Sequence, residues 1–253
     1  MDPAIFFVMP LAFVCEFIDS SLGMGYGTSL TPILLFMGFE PLQVVPAVLF
    51  SEFVSGVTAA FFHHSVQNVN FKPSSKDTKV VIALLIFSVI GTIIAVFLAV
   101  KLPPKILKVW IGGIVLFMGI FILATFNRKP RFTWRKIITL GTIASFNKGM
   151  SAGGYGPLVM GGQLLSGIGV KNAVGITSLS EGITCLVGVI LYFFLKSQVD
   201  WVLAPWLMAG AVFSVPFAVH TLKKITERKV KIAVAIVIVV LGCLTLANGF
   251  IRS

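Results

Sequence analysis

Charge is what this chain has least of. Asp, Glu, Lys and Arg make up 11% of its residues, against about 25% in a water-soluble domain, and that shortfall excludes an ordinary soluble fold. Acid is scarcer than base: 9 Asp and Glu stand against 20 Lys and Arg, for a formal net charge of +11. Cysteine is nearly absent. Cys15, Cys185 and Cys243 are scattered through apolar segments without metal-ligand spacing, so they read as small packing residues and not as a redox or metal centre. Among the histidines, His63 and His64 are adjacent and point to different helix faces, His220 is distant, and no H-E-x-x-H occurs. Nor is there a G-x-x-x-x-G-K followed by Ser or Thr, so the chain hydrolyses no nucleotide by itself. The opening MDPAIFFVMPLAF has neither the basic start nor the small-residue cleavage site of a secretory signal. These absences argue against an enzyme, and no catalytic residue, metal ligand or cofactor is assigned.

What is abundant is apolar sequence: 57% of residues are hydrophobic and the mean hydropathy is +1.00. Ile82 to Val100, Val109 to Phe126 and Ile232 to Phe250 carry no charge at all. Each approaches the run of about 20 apolar residues that crosses a hydrocarbon core of roughly 30 Å. The fold class is an all-α polytopic membrane protein. The surplus base then needs no nucleic acid, because membrane proteins collect Lys and Arg in cytoplasmic loops. Apolar runs and their breakers give segments at 4–19, 28–38, 41–65, 78–100, 104–126, 134–148, 155–167, 171–195, 201–221 and 228–250. The segments 28–38 and 155–167 are too short to cross alone.

Those short segments follow glycine-rich breaks, GYGTSLTP from Gly25 and AGGYGPLVMGGQ from Ala152. Superposing Gly25-Tyr26-Gly27 on Gly154-Tyr155-Gly156, an offset of 129, also pairs Gly38 with Gly167, Ser51 with Ser180 and Glu52 with Glu181. The match spans nine identities in fifty positions from Phe17 to Val66, and its content (glycines, a tyrosine, an intramembrane glutamate) marks a duplication. Repeat 1 covers 1–126, a basic cytoplasmic linker 127–136, and repeat 2 137–253. The linker holds Arg128, Lys129, Arg131, Arg135 and Lys136, and the turn before the last segment holds Lys223, Lys224, Arg228, Lys229 and Lys231. Both belong inside, which requires an even number of crossings between them. Each short segment and its predecessor therefore either both cross or both dip in and return. The same parity puts Lys72, Lys76 and Lys79 inside and both termini outside, in a cell membrane that is expected to be a prokaryotic inner membrane. With about five segments per half, the second repeat is inverted relative to the first, each carrying one short broken or re-entrant helix. Inverted repeats with broken helices are a transporter signature.

Unpaired backbone in lipid is tolerated only where it is buried in protein or lines a wet cavity, and a helix N-terminus favours an anion. The candidate substrate-binding set is therefore Gly25, Tyr26, Gly27, Thr28, Ser51, Asn147, Lys148, Ser151, Gly153, Gly154, Tyr155 and Ser180. Lys148 is the sharpest of these, because an intramembrane lysine normally faces a cavity or a partner; the alternative is a lysine snorkelling to the surface. Asp19 stands at its equivalent position, and Glu52 and Glu181 lie deep in long segments. Asp19 is a candidate for managing protons or for pairing with Lys148, and Glu52 and Glu181 are candidates for proton coupling or gating, or for a structural hydrogen bond to a broken helix's backbone. Glycines that merely allow close helix packing, and hydroxyls that bond their own backbone, are the plainer alternatives.

GMGYGTSLTPILLFMGFEPLQVVPAVLFSEF and AGGYGPLVMGGQLLSGIGVKNAVGITSLSEG resemble the duplicated motif of the TauE/SafE family of sulfite exporters. That motif is a glycine-rich run, a short apolar helix with proline, then G-x-x-x-x-x-A-V and a Thr/Ser-rich helix. Gly167, Ala173, Val174, Gly175, Thr177 and Ser178 fit it, whereas Val44, Val45 and Pro46 depart from it in the first copy. The resemblance implies a secondary transporter, usually an exporter, of a small sulfur-containing anion such as sulfite or an organosulfonate, working by alternating access around a midplane site. It does not extend to Glu52 and Glu181 as known positions. An anion channel of the same fold is the alternative. The expected partners are the lipid bilayer and a small anion, with a homo-oligomer left open.

Overall fold

A computed structural model describes residues 5–125, 133–195, 199–221 and 227–251. Among the described residues there are ten helices: α1 (Ile5–Leu22), α2 (Tyr26–Phe36), α3 (Pro41–Ser65), α4 (Lys76–Ala99), α5 (Pro104–Thr125), α6 (Trp134–Ser151), α7 (Tyr155–Leu165), α8 (Val170–Phe194), α9 (Ala204–Thr221) and α10 (Glu227–Ile251). They coincide with the ten expected segments to within a few residues. The largest differences are at α1 and α6, which run on to Leu22 and Ser151 instead of stopping at 19 and 148, and at α9, which starts at Ala204 instead of 201. Polar Asp19, Ser20, Ser21 and Lys148 looked like helix ends, but all are buried against other helices. Of the linker expected at 127–136, residues 127–132 lie outside the described residues, as do Lys196, Lys223, Lys224 and Arg252.

Local chemistry sets several boundaries. Pro41 opens α3 behind a reciprocal capping box between Glu40 and Gln43. The Ser75 hydroxyl accepts from the Thr78 N–H, 3.1 Å, at the start of α4. Five of the helices, at Pro41–Ser65, Lys76–Ala99, Pro104–Ala124, Val170–Phe194 and Ala204–Thr221, are long and apolar enough to cross a membrane. The protein is a multi-pass membrane protein, and α4 shows how its helices sort. Ile82, Ile86, Ile90 and Ile94 point outward at four-residue spacing, while Ser88, Gly91, Thr92, Ala95 and Ala99 face the protein. Large residues meet lipid, and small ones let backbones approach.

The contacts fix the helix directions. Helices α3 and α8 are antiparallel, with Gly188 against Leu49 at one end and Gly175 against His63 and Val69 at the other. α1 runs parallel to α9: Phe6 packs on Trp206, and the Ser21 hydroxyl reaches the Ala218 carbonyl, 3.4 Å. In the same way α6 runs parallel to α4, with Gly141 against Leu84 and Gly149 against Ala95. The chain turns back after each of these helices. Just past α2, Gly38 shares a cavity with Lys105, Lys108 and Gly249 at the end where α1 began. Just past α7, Gly167, Ile168 and Gly169 line a cavity with Lys76 and Asp77 at the start of α4, the end where α6 began. The short helices are therefore the returning arms of two hairpins that enter the bundle from opposite ends.

The offset of 129 reappears in the backbone. Left-handed geometry occurs at Gly23 (φ 71) and Ala152 (φ 55), at Gly25 (φ 135) and Gly154 (φ 80), and at Gly38 (φ 98) and Gly167 (φ 73). Ala152 alone among these has a Cβ, for which the left-handed region costs about 1–2 kcal/mol. Ala152→Gly relieves that cost but adds about 0.4–1 kcal/mol of unfolded-chain freedom. It is expected to leave the melting temperature unchanged or slightly raised; a drop of many degrees would mean that the methyl matters more than the turn.

Candidate functional site

The two hairpin tips meet at the centre, and glycine is what lets them. A methyl on Gly27 would overlap the Ala152 carbonyl, and one on Gly156 would lie 2.7 Å from the Gly23 carbonyl oxygen. These two contacts are again counterparts at the offset of 129. The tips also bond to each other, the Gly154 N–H donating to Thr28 Oγ1 at 3.0 Å. The start of α2 is held by the Asp19 carboxylate, which accepts from the Tyr26 N–H at 3.2 Å. Lys148 occupies the corresponding place in the second half and cannot cap a helix N-terminus, because an ammonium only donates.

The Lys148 side chain instead reaches into the centre, 1% exposed, so it does not snorkel to the surface. Its ammonium forms an ion pair with Glu52 of α3 and another, at 2.7 Å, with Glu181 of α8. Glu52 and Glu181 are thus clamped by one lysine, and among the described residues neither is bonded to helix backbone. Carboxylate oxygens of Asp19, Glu52 and Glu181 lie within 4.8 Å of one another, a spacing that suits a cation, and the cation bonded to both glutamates is Lys148. Among the described residues, Glu52 Oε1 and Glu181 Oε2 are buried without a hydrogen-bond partner. A buried, half-satisfied carboxylate is costly, and a fold needing only stability would replace this cluster with apolar side chains.

The other expected residues divide. Tyr26 hydrogen-bonds Ser51, 2.6 Å between hydroxyls, and Tyr155 lies beside the hydroxyls of Ser180, Ser88 and Thr184. Ser180 donates to the Ile176 carbonyl, 2.8 Å, and Thr184 to the Ser180 carbonyl, 2.6 Å, so these hydroxyls serve their own helix. Ser151 likewise shapes its own turn, donating to the Asn147 carbonyl at 2.8 Å and accepting from the Gly153 N–H at 3.2 Å. Asn147 is buried beside Gly154. Gly25 and Gly153 are buried at the tips.

One acid at the centre escaped sequence reasoning. Glu16 is 1% exposed and accepts from Ser20 Oγ at 2.6 Å and Ser55 Oγ at 3.0 Å. The signal existed, since Glu16 sits one helical turn before Asp19 and Ser20 in an apolar run and so shares their face.

Comparison with known proteins identifies the family. The family model described as sulfite exporter TauE/SafE matches residues 8–245. A probable membrane transporter protein of Bacillus subtilis strain 168, YtnM, is 28% identical over 257 residues, covering 96% of this chain and 83% of its own. Another, MJ0441 of Methanocaldococcus jannaschii, is 22% identical over 252 residues, covering 92% and 91%. No solved structure matches the chain. A match across nearly the full length, on a helical bundle with the glycine breaks at its centre, places the chain in the TauE/SafE sulfite exporter family of membrane transporters.

Proposed function

We propose that this protein is a secondary transporter that exports a small sulfur-containing anion, such as sulfite or an organosulfonate, across the cell membrane. Both termini lie outside, and residues 1–126 and 137–253 act as two inverted repeats joined by the basic linker. Supporting the repeat are the shared left-handed positions, the matched helix lengths of α2 with α7 and α3 with α8, and the hairpins entering from opposite ends. Supporting the anion are the N-termini of α2 and α7, which point their free N–H groups toward the tip contact.

The observation that carries the mechanism is Lys148 held between Glu52 and Glu181 where the tips meet. In this arrangement the ammonium is occupied by protein carboxylates. An incoming anion competes with them for it, so Glu52 and Glu181 act as a gate that keeps Lys148 from binding anions indiscriminately, while Asp19 holds the α2 break in shape. Three acids around one lysine leave the cluster net negative, so an anion is accommodated only together with a compensating cation or proton. Binding and compensation are thereby coupled, which is what separates a carrier from an open pore.

Radiotracer counterflow in proteoliposomes tests this: sulfite or a small sulfonate on the trans side should accelerate tracer movement. Flux without trans-stimulation would support an anion channel instead. Glu52→Gln or Glu181→Gln loosens the clamp, and each is expected to change anion affinity several-fold in a thermal-shift titration. Wild-type affinity in both variants would remove the gate.

A further inference from the structure

Four carboxylates converge on the centre, and their hydrogen-bond partners separate them. Asp19 accepts from a backbone N–H, and Glu52 and Glu181 from the Lys148 ammonium. Those groups are donors only and hold a carboxylate in its ionised form. Glu16 is bonded instead to two hydroxyls, Ser20 and Ser55. A hydroxyl donates to a carboxylate and accepts from a carboxylic acid, so this pair of serines serves Glu16 in either protonation state. Among the described residues Glu16 has no ion-pair partner.

The duplication supplies a second, independent argument. Scaffold contacts come in pairs at the offset of 129. Tyr26 on Ser51 is matched by Tyr155 beside Ser180. The bond from His63 Nε2 to the Ser20 carbonyl, 3.0 Å, is matched by that from the Tyr192 hydroxyl to the Gly149 carbonyl, 2.8 Å. Glu16 has no such match. Its counterpart is Ser145, which donates to the Thr142 carbonyl at 2.9 Å. The fold is therefore built once without an acid at this place, and the buried carboxylate is not a packing requirement.

A chain of hydrogen bonds links Glu16 to a cavity at one end of the bundle. At the end bearing Lys72 and Lys171, a cavity of about 550 Å³ is lined by Asn68, Gln67, Asn70 and His64 as well as those lysines. Asn68 donates its amide to His63 Nδ1, 3.1 Å, and His63 Nε2–H donates to the Ser20 carbonyl. One side-chain pair thus stands between the cavity and the residue that bonds Glu16. Gln67, on the cavity wall, holds a left-handed φ of 60 in the turn that closes α3, where the Asn68 N–H donates to the His63 carbonyl at 2.9 Å.

We propose that Glu16 is the proton-coupling site of the transporter, taking up one proton as its carboxylate becomes a carboxylic acid when an anion binds, and giving it back when the anion leaves. The proton exchanges with the cavity when the His63–Asn68 latch opens. Ionisable groups facing Glu16 are Asp19 and Cys15 on α1, Tyr26 on α2 and Glu181 on α8; α3 presents Ser55 and, bonded to the Ser20 carbonyl, the ionisable His63. The ionisable residue of α9, His220, is exposed and bonded to its own helix at the Pro216 carbonyl. An ionised Glu16 adds to the negative charge of Asp19 and Glu181, and its protonation removes that charge, so anion affinity rises as pH falls.

This inference rests on the transport reading, and two measurements keep the two separable. In proteoliposomes, Glu16→Gln is expected to lose accumulation of tracer sulfite driven by a pH gradient, while tracer exchange at equal pH continues. Accumulation at the wild-type level with the wild-type pH profile would overturn the proposal. Infrared difference spectra of the purified protein across pH need no substrate. A titrating buried-carboxyl C=O band should vanish in Glu16→Gln and shift in Ser55→Ala; a band unmoved in both, or lost in Glu181→Gln instead, overturns it. If wild-type protein exchanges none of sulfite, thiosulfate, sulfate and small sulfonates, the transport reading fails, and the infrared titration still decides the protonation of Glu16.

Discussion

Replacing Lys148 with alanine is expected to cost about 3–5 kcal/mol of stability, the usual penalty for stranding a buried charge. Here the substitution strands two. Glu52 and Glu181 are 2% and 4% exposed, each has one oxygen without a partner, and the other oxygen of each bonds the ammonium. A lysine that only bound substrate would instead be lost without cost to the fold. The two are separated by adding Glu52→Gln and Glu181→Gln to a Lys148→Met background. Removing the charges on both sides should recover much of the thermal stability, because a neutral amide at each position no longer needs a counter-charge. Anion binding should not return, since the cation is gone. A single Lys148→Ala variant that melts with the wild type would mean that the clamp contributes nothing.

The second large effect is expected at Gly27. Its Cβ position is occupied by the Ala152 carbonyl, and Gly153 lies next to it. Backbone on both sides leaves no flexible side chain to step aside. Gly27→Ala therefore either separates the hairpin tips or strains both, at about 1–3 kcal/mol or more by the usual cost of overpacking, and transport should fall with it because the tips carry the site. Gly156→Ala, its counterpart against Gly23 and Met24, should behave alike. Gly113→Ala is the control: it meets nothing within 4 Å, and a methyl there should be neutral or slightly stabilising in a helix. Equal melting temperatures for Gly27→Ala and Gly113→Ala would show that the tips are not in firm contact.

How far the sequence carries depends on whether the responsible force is local. Spans and breaks are local: an apolar run of span length partitions into lipid whatever its neighbours do, and Gly25, Gly154 and Pro157 mark where a helix restarts. Charge bias is local to each loop, so the parity of crossings follows, and with it the rule that each short helix and its predecessor behave alike. The same parity left crossing and returning equally allowed. Gly38 lining a cavity with Lys108, and Gly169 one with Asp77, put the end of each short helix at the end of the bundle where its predecessor began. Misjudged helix ends have the same origin. Asp19 and Lys148 resemble interfacial residues in a linear scan, but their partners come from distant helices, so α1 and α6 continue past them.

Membrane partition, glycine backbone freedom and loop charge act residue by residue, and they determined by sequence alone that this protein is a ten-segment helical bundle with two matched breaks. The chemistry of its centre was decided elsewhere. Lys148 reaches Glu52 across 96 residues of chain and Glu181 across 33. Whether a buried charge is a binding group, a clamp or a proton carrier depends on which donors and acceptors stand within about 3 Å of it. That distance is set by packing between helices remote in sequence, so only the tertiary structure could distinguish Glu16 from Glu52 and Glu181.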